Sequence, residues 1–175
     1  MANPFATTVE IEIQCNERFR QQVVEKSDAD PLSGVKIRSN ETYVLGGESS
    51  VAGDYTTSNL IAQHYAISDI LNNRTHPVEF FDGPVWLVFE PVNDRLVSLT
   101  GCHTIEGVRD PEQRLSVDTT VIVTKHAWIT ELVRATEEYS NTILDLNPAL
   151  SENQIFQELQ DALAGTRERL NQLSE

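Results

Sequence analysis

Val78-Glu-Phe-Phe81, Asp82-Gly83-Pro84, Val85-Trp-Leu-Val-Phe89, a polar break at Asn93-Asp94 and Leu96-Val-Ser-Leu-Thr100 make up the stretch that decides the fold. Three runs rich in β-branched and aromatic residues are separated by short breaks of turn chemistry. Breaks this short join only antiparallel neighbours, because a parallel crossover needs a dozen residues or more. The segment therefore predicts an antiparallel meander. Asp82-Gly83 is a strong hairpin signal, and Pro84 behind it removes one ladder donor and shifts where pairing begins. Residues 85–89 are apolar on both faces, which places them in the middle of the sheet.

Downstream, Leu115, Val117, Thr119, Val121 and Val123 alternate with Ser116, Asp118 and Thr120, and predict another strand over 115–123. A helix follows over 125–146, with Trp128, Leu132, Ala135, Tyr139 and Ile143 at 3–4 spacing, and Asn147-Pro148 stops it. Ser151-Glu-Asn-Gln154 has the form of a capping box. It precedes Ile155, Leu159, Ala162, Thr166, Leu170 and Leu173 at helical spacing, so a long C-terminal helix is expected over 151–173. Gly165 marks a bend or a close helix crossing within it.

Upstream, Thr8-Val-Glu-Ile-Glu-Ile13 alternates without a break and reads as a half-buried strand. Asn16 is placed to cap a short helix over 17–26 carrying Phe19 and Val23. Val35-Lys-Ile-Arg38 and Thr42-Tyr-Val-Leu45 flank a connection of hairpin length. Residues 46–53 hold three glycines and two serines, and are expected to form a loop that is mobile or approached by a ligand. Thr57 or Ser58 then caps a helix over 58–73 whose buried stripe includes Leu60, His64, Ile67 and Leu71. These elements add up to an α+β fold: a curved antiparallel sheet of about six strands packed against two or three helices, in a single domain over 1–175.

Charge narrows the function. The chain carries 27 Asp and Glu against 13 Lys and Arg, a formal net charge of −14. Nucleic-acid binding through a basic patch is disfavoured, since no stretch concentrates cations to displace counterions from a phosphate backbone. No apolar run approaches the length of a membrane span, and the N-terminus lacks the basic and apolar regions of a signal peptide. A cytoplasmic setting is expected, in which Cys15 and Cys102 are free thiols. No metal or cofactor is expected, because Cys/His zinc spacing, a glycine-rich phosphate loop and hydrolase motifs are all missing from the sequence.

Chemistry would have to come from few residues. Gly101-Cys-His-Thr104 is the most suggestive cluster, but Cys102 and His103 on an extended strand point to opposite faces and cannot serve one another directly. His64 lies on a buried helical stripe, where a hydrogen-bonded core histidine is the commoner case. Glu79 and Glu90 occupy strand positions, and Trp86 and Trp128 could line a ligand cavity but fit a core more readily. Two functions follow. The first is a non-enzymatic acidic binding protein that engages a basic protein partner, as an immunity protein or antitoxin engages a basic toxin. The second is a small-molecule or enzymatic pocket between the curved sheet and the helices, with His64, Trp86, Glu90, Cys102 and His103 as the candidate lining. A homodimer through the C-terminal helix is the further partner expectation.

Overall fold

The meander is the backbone of the architecture. In the computed structural model, which describes residues 8–81 and 85–173, strands β5 (His76–Phe80), β6 (Val85–Pro91), β7 (Leu96–Cys102) and β8 (Thr119–Thr124) pair in that order, all antiparallel. The Asp82-Gly83-Pro84 turn lies outside the described residues. At the next turn the Asn93 side chain accepts from the backbone N–H groups of Arg95 and Leu96, which closes the β6–β7 connection. Alternation splits the sheet into two faces. Val85, Leu87 and Phe89 point inward, and the Phe89 ring meets Trp128 at 5.0 Å between centroids. Trp86, Val88 and Glu90 point to the opposite face.

The remaining strands form a second four-stranded sheet instead of extending the first. Its centre is β2 (Leu32–Ser39), with β1 (Glu10–Ile13) on one edge. The other edge is shared end to end by β3 (Thr42–Leu45) and β4 (Ala52–Tyr55), which pair with opposite ends of β2 around an irregularity at Ile37/Arg38. The fold is α+β with antiparallel strands throughout, and among the described residues eight strands in two sheets stand where about six in one were expected. The loop expected over 46–53 is shorter than its composition implied, because Ala52 and Gly53 belong to β4, where Gly53 pairs with Gly34. The strand expected over 115–123 begins only at Thr119, and Leu115 and Val117 are exposed.

The two sheets meet at Gly101. A Cβ built there would lie 2.0 Å from the backbone oxygen of Val44 in β3, so β3 crosses β7 at a distance that only glycine permits.

Helices cover the inner faces. α1 (Glu17–Glu25) starts at Asn16, whose side chain accepts from Phe19 N at 3.0 Å, and buries Phe19 and Val23. α2 (Thr56–Leu71) continues directly from β4; its first turn is capped from outside by Asp30, which accepts from Ser58 N at 3.0 Å. After β7 a short helix α3 (Ile105–Arg109) opens the excursion that returns to β8. α4 (Lys125–Leu146) starts at Thr124, whose hydroxyl accepts from Ala127 N. Two of its side chains finish the outer edge of β1: Glu131 accepts from Ile11 N at 2.8 Å, and Arg134 donates to Ile11 O at 3.1 Å. Sequence spacing showed Glu131, Arg134 and Glu138 only as a helical charge series. Here Glu131 and Arg134 also satisfy an exposed strand edge, a liability that folds commonly cover, while Glu138 pairs with Arg134.

α5 (Gln154–Leu173) is the long C-terminal helix, and it packs on α2 and α4. Residues Pro148–Glu152 form a 3-10 turn, so the Ser151–Gln154 capping box does not form. Asn153 takes over the cap, accepting from Ile155 N at 3.0 Å. Phe156, Leu159, Leu163 and Thr166 form the buried stripe, while Ile155, Ala162 and Leu170 flank it. Gly165 has open space where a side chain would stand, so it marks no close crossing. Among the described residues no helix is long and apolar enough to cross a membrane.

Candidate partner-binding site

The structure brings three of the five sequence candidates onto one surface. Trp86, Glu90 and Cys102 lie on the outer face of the meander, where Trp86 pairs with Cys102 and Glu90 with Ser98. The excursion between β7 and β8 folds back over them. Arg114 donates to Glu90 at 2.6 Å and to the Gly107 carbonyl at 3.2 Å. Cys102 is buried beneath it, and burial raises its thiol pKa despite the nearby Arg114, which leaves a protonated sulfur and no nucleophile.

His64 is not part of that surface. It lies at the α2–α4–α5 junction, with Nδ1 2.7 Å from the Thr166 hydroxyl and Nε2 2.9 Å from the Thr136 hydroxyl. Burial lowers its pKa to about 4. Between pH 6.5 and 4 the unfolded chain therefore holds a proton that the native chain excludes, and stability must fall as pH falls through that window. Relative to a His64→Gln variant, the wild type is expected to lose about 2 kcal/mol more between pH 7 and pH 4.5. Urea denaturation at the two pH values checks this; parallel losses would contradict it.

His103 points away from Cys102 and pairs with Asp118 at 2.7 Å. Asp118 is almost wholly enclosed and also accepts from the backbone N–H groups of His103 and Leu115. Partial burial pushes its pKa up, but those three hydrogen bonds outweigh burial and hold it below the usual carboxylate range. Since an ionised carboxylate only accepts, His103 donates through Nδ1 and leaves Nε2 for solvent. The ring borders a hollow of about 350 Å³ that Tyr43, Ser50 and Val117 also line.

A second hollow, of about 340 Å³, opens where β4 runs into α2 beside the end of β5. Its floor is Asp54, only 8% exposed. Burial pushes the Asp54 carboxyl up, while hydrogen bonds from the Asn59 side chain and the backbone N–H groups of Tyr55 and Phe81 pull it back. Asn59 Nδ2 donates to Asp54 at 2.8 Å and to the Glu79 carbonyl at 3.3 Å, and so Asn59 Oδ1 faces Gln63 Nε2 at 2.6 Å. The chain ends at Gln63 Oε1, which is buried and has no hydrogen-bond partner among the described residues. Such an orphan acceptor costs about 1–3 kcal/mol.

The rim of this hollow is unusual for a surface. Phe81 is 73% exposed and Tyr55 45%, their ring centroids 6.5 Å apart with planes at 44°. Glu79 stands beside them on the exposed face of β5. One stripe further along α2, Tyr65 is exposed and its hydroxyl donates to Glu158 at 2.8 Å. Among these residues the sequence singled out only Glu79. Asp54 and Tyr55 fall between the glycine-rich segment and the next helix, where the sequence predicts no element, and Phe81 falls at the end of a predicted strand. Helical spacing places Tyr65 beside the buried stripe of α2, whereas it is exposed, and Tyr55 precedes the helix at the end of β4, so no periodic signal marks the two tyrosines. Compared with known proteins, the chain matches no protein-family model, no curated protein and no solved structure.

Proposed function

We propose that this chain is a non-enzymatic binding protein whose acidic surface engages a basic protein partner, in the way an immunity protein or antitoxin engages a basic toxin. The observation that carries this reading is the pair of exposed aromatic rings, Tyr55 and Phe81, set at the rim of a hollow with a buried carboxylate floor. Exposed aromatics give up hydration when covered and rank among the strongest anchors of protein interfaces. Carboxylates around them select a cationic partner, and a net charge of −14 steers it from a distance.

Affinity capture from the native host tests the reading. A protein of basic pI is expected to be retained at low salt and at least tenfold depleted by a high-salt wash. Retention of only neutral or acidic proteins, or of a partner indifferent to salt, would contradict it.

A second reading rests on His103, whose Nε2 is free beside its hollow while Asp118 holds the ring. That arrangement orients an imidazole whose Nε2 serves a small polar ligand as a general base or a hydrogen-bond acceptor.

A further inference from the structure

Resting on the partner reading above, we infer that the hollow beside α2 seats one arginine side chain of the basic partner, its guanidinium lying on the exposed aromatic rim and hydrogen-bonded to Glu79. Volume comes first. About 340 Å³ with an open mouth suits one long side chain; it does not suit a strand or helix of the partner. The walls then set the chemistry. Tyr55 and Phe81 are too close, and too tilted, to admit a flat group between them. Phe81 is nevertheless 73% exposed, and an open ring face attracts a cation.

The carboxylates differ in role. Both Asp54 oxygens already accept hydrogen bonds, Oδ1 from Tyr55 N and Oδ2 from Asn59, so Asp54 supplies negative charge beneath the site. Glu79 stands two residues before Phe81 on the extended chain, within reach of a group lying on that ring. Its carboxylate takes the directed hydrogen bonds. A guanidinium offers a planar face to the ring and a fork of donors to the carboxylate, and it sheds water more readily than an ammonium. Lysine satisfies only the charge.

The test is a ¹H–¹⁵N correlation titration of the whole chain with the blocked peptides Ac-Gly-Arg-Gly-NH₂, its lysine counterpart and its citrulline counterpart, at constant ionic strength. The arginine peptide is expected to shift amides of residues 54–62 and 79–81 saturably. The lysine peptide should bind at least threefold more weakly, and the citrulline peptide should show no saturable shift. Phe81→Ala and Glu79→Gln should each weaken the arginine peptide at least fivefold, with the same spectra reporting that the variants are folded. Equal binding of arginine and citrulline, equal binding of arginine and lysine, or shifts spread evenly over the acidic surface would overturn the inference. A salt-sensitive basic partner that binds wild type and Phe81→Ala alike would overturn this site and leave the partner reading standing. The absence of any such partner would overturn the partner reading.

Discussion

Gly101→Ala is expected to destabilise the protein by about 3 kcal/mol, the upper end of what an added methyl costs a packed interior. The added Cβ would fall 2.0 Å from the Val44 carbonyl oxygen and 3.1 Å from its carbon. Both are backbone atoms, so no side-chain rotation relieves the overlap. Gly101 is itself pinned between Leu87 and Thr119 in the ladder, which prevents β7 from stepping aside. Either β3 lifts away or the β7 pairing breaks, and each uncovers core. Urea denaturation at neutral pH measures the loss. A change below about 1 kcal/mol would mean that the sheets are not locked at this point.

Leu159→Ala is the second large effect, expected at about 2–4 kcal/mol. Leu159 is fully buried on α5, where the helix packs against α2 and α4. Deleting its branched end leaves a void between three helices, which cannot all close in without breaking other contacts. The nearby His64 bridge to Thr136 and Thr166 holds the same helices in register. If the variant lost less than about 0.5 kcal/mol and stayed monodisperse, α5 would be an appendage and the packing argument would fail.

Legibility followed periodicity. The meander was readable because Asn93-Asp94 and Asp82-Gly83 punctuate runs of β-branched and aromatic residues, and α4 and α5 because their apolar spacing persists over five turns or so. The split into two sheets was not readable. Strand count says nothing of partner choice, and the decisive residue, Gly101, looks in sequence like any strand glycine. Leu115 and Val117 copied the alternation of β8, yet Asp118 turns inward to accept from His103 and Leu115, and this breaks the strand before Thr119. At the α5 start, Ser151 matched the capping pattern, but Pro148 favours a 3-10 turn that leaves Asn153 as the residue facing the free amides.

The candidate site was legible in its charge and hidden in its geometry. Net charge pointed to a basic partner, but the two carboxylates and two rings of the hollow come from the junction of β4 with α2 and from the end of β5, separated by more than a helix length. Local pattern offered His64, Trp86, Glu90, Cys102 and His103 as a candidate lining. Tertiary structure instead enclosed His64 and Cys102 and covered Glu90 with Arg114. His103 keeps its Nε2 beside a hollow.

The most direct test of the central claim is the rate at which the captured basic partner associates with this chain across ionic strength, followed by stopped flow for wild type and for Tyr55→Ala/Phe81→Ala. If an acidic surface steers the partner and the aromatic rim anchors it, the wild-type association rate should fall at least tenfold between about 0.05 and 0.5 M salt. The double variant should keep that salt dependence within about twofold while dissociating at least tenfold faster. An association rate indifferent to salt, together with a dissociation rate indifferent to the loss of both rings, would contradict the account.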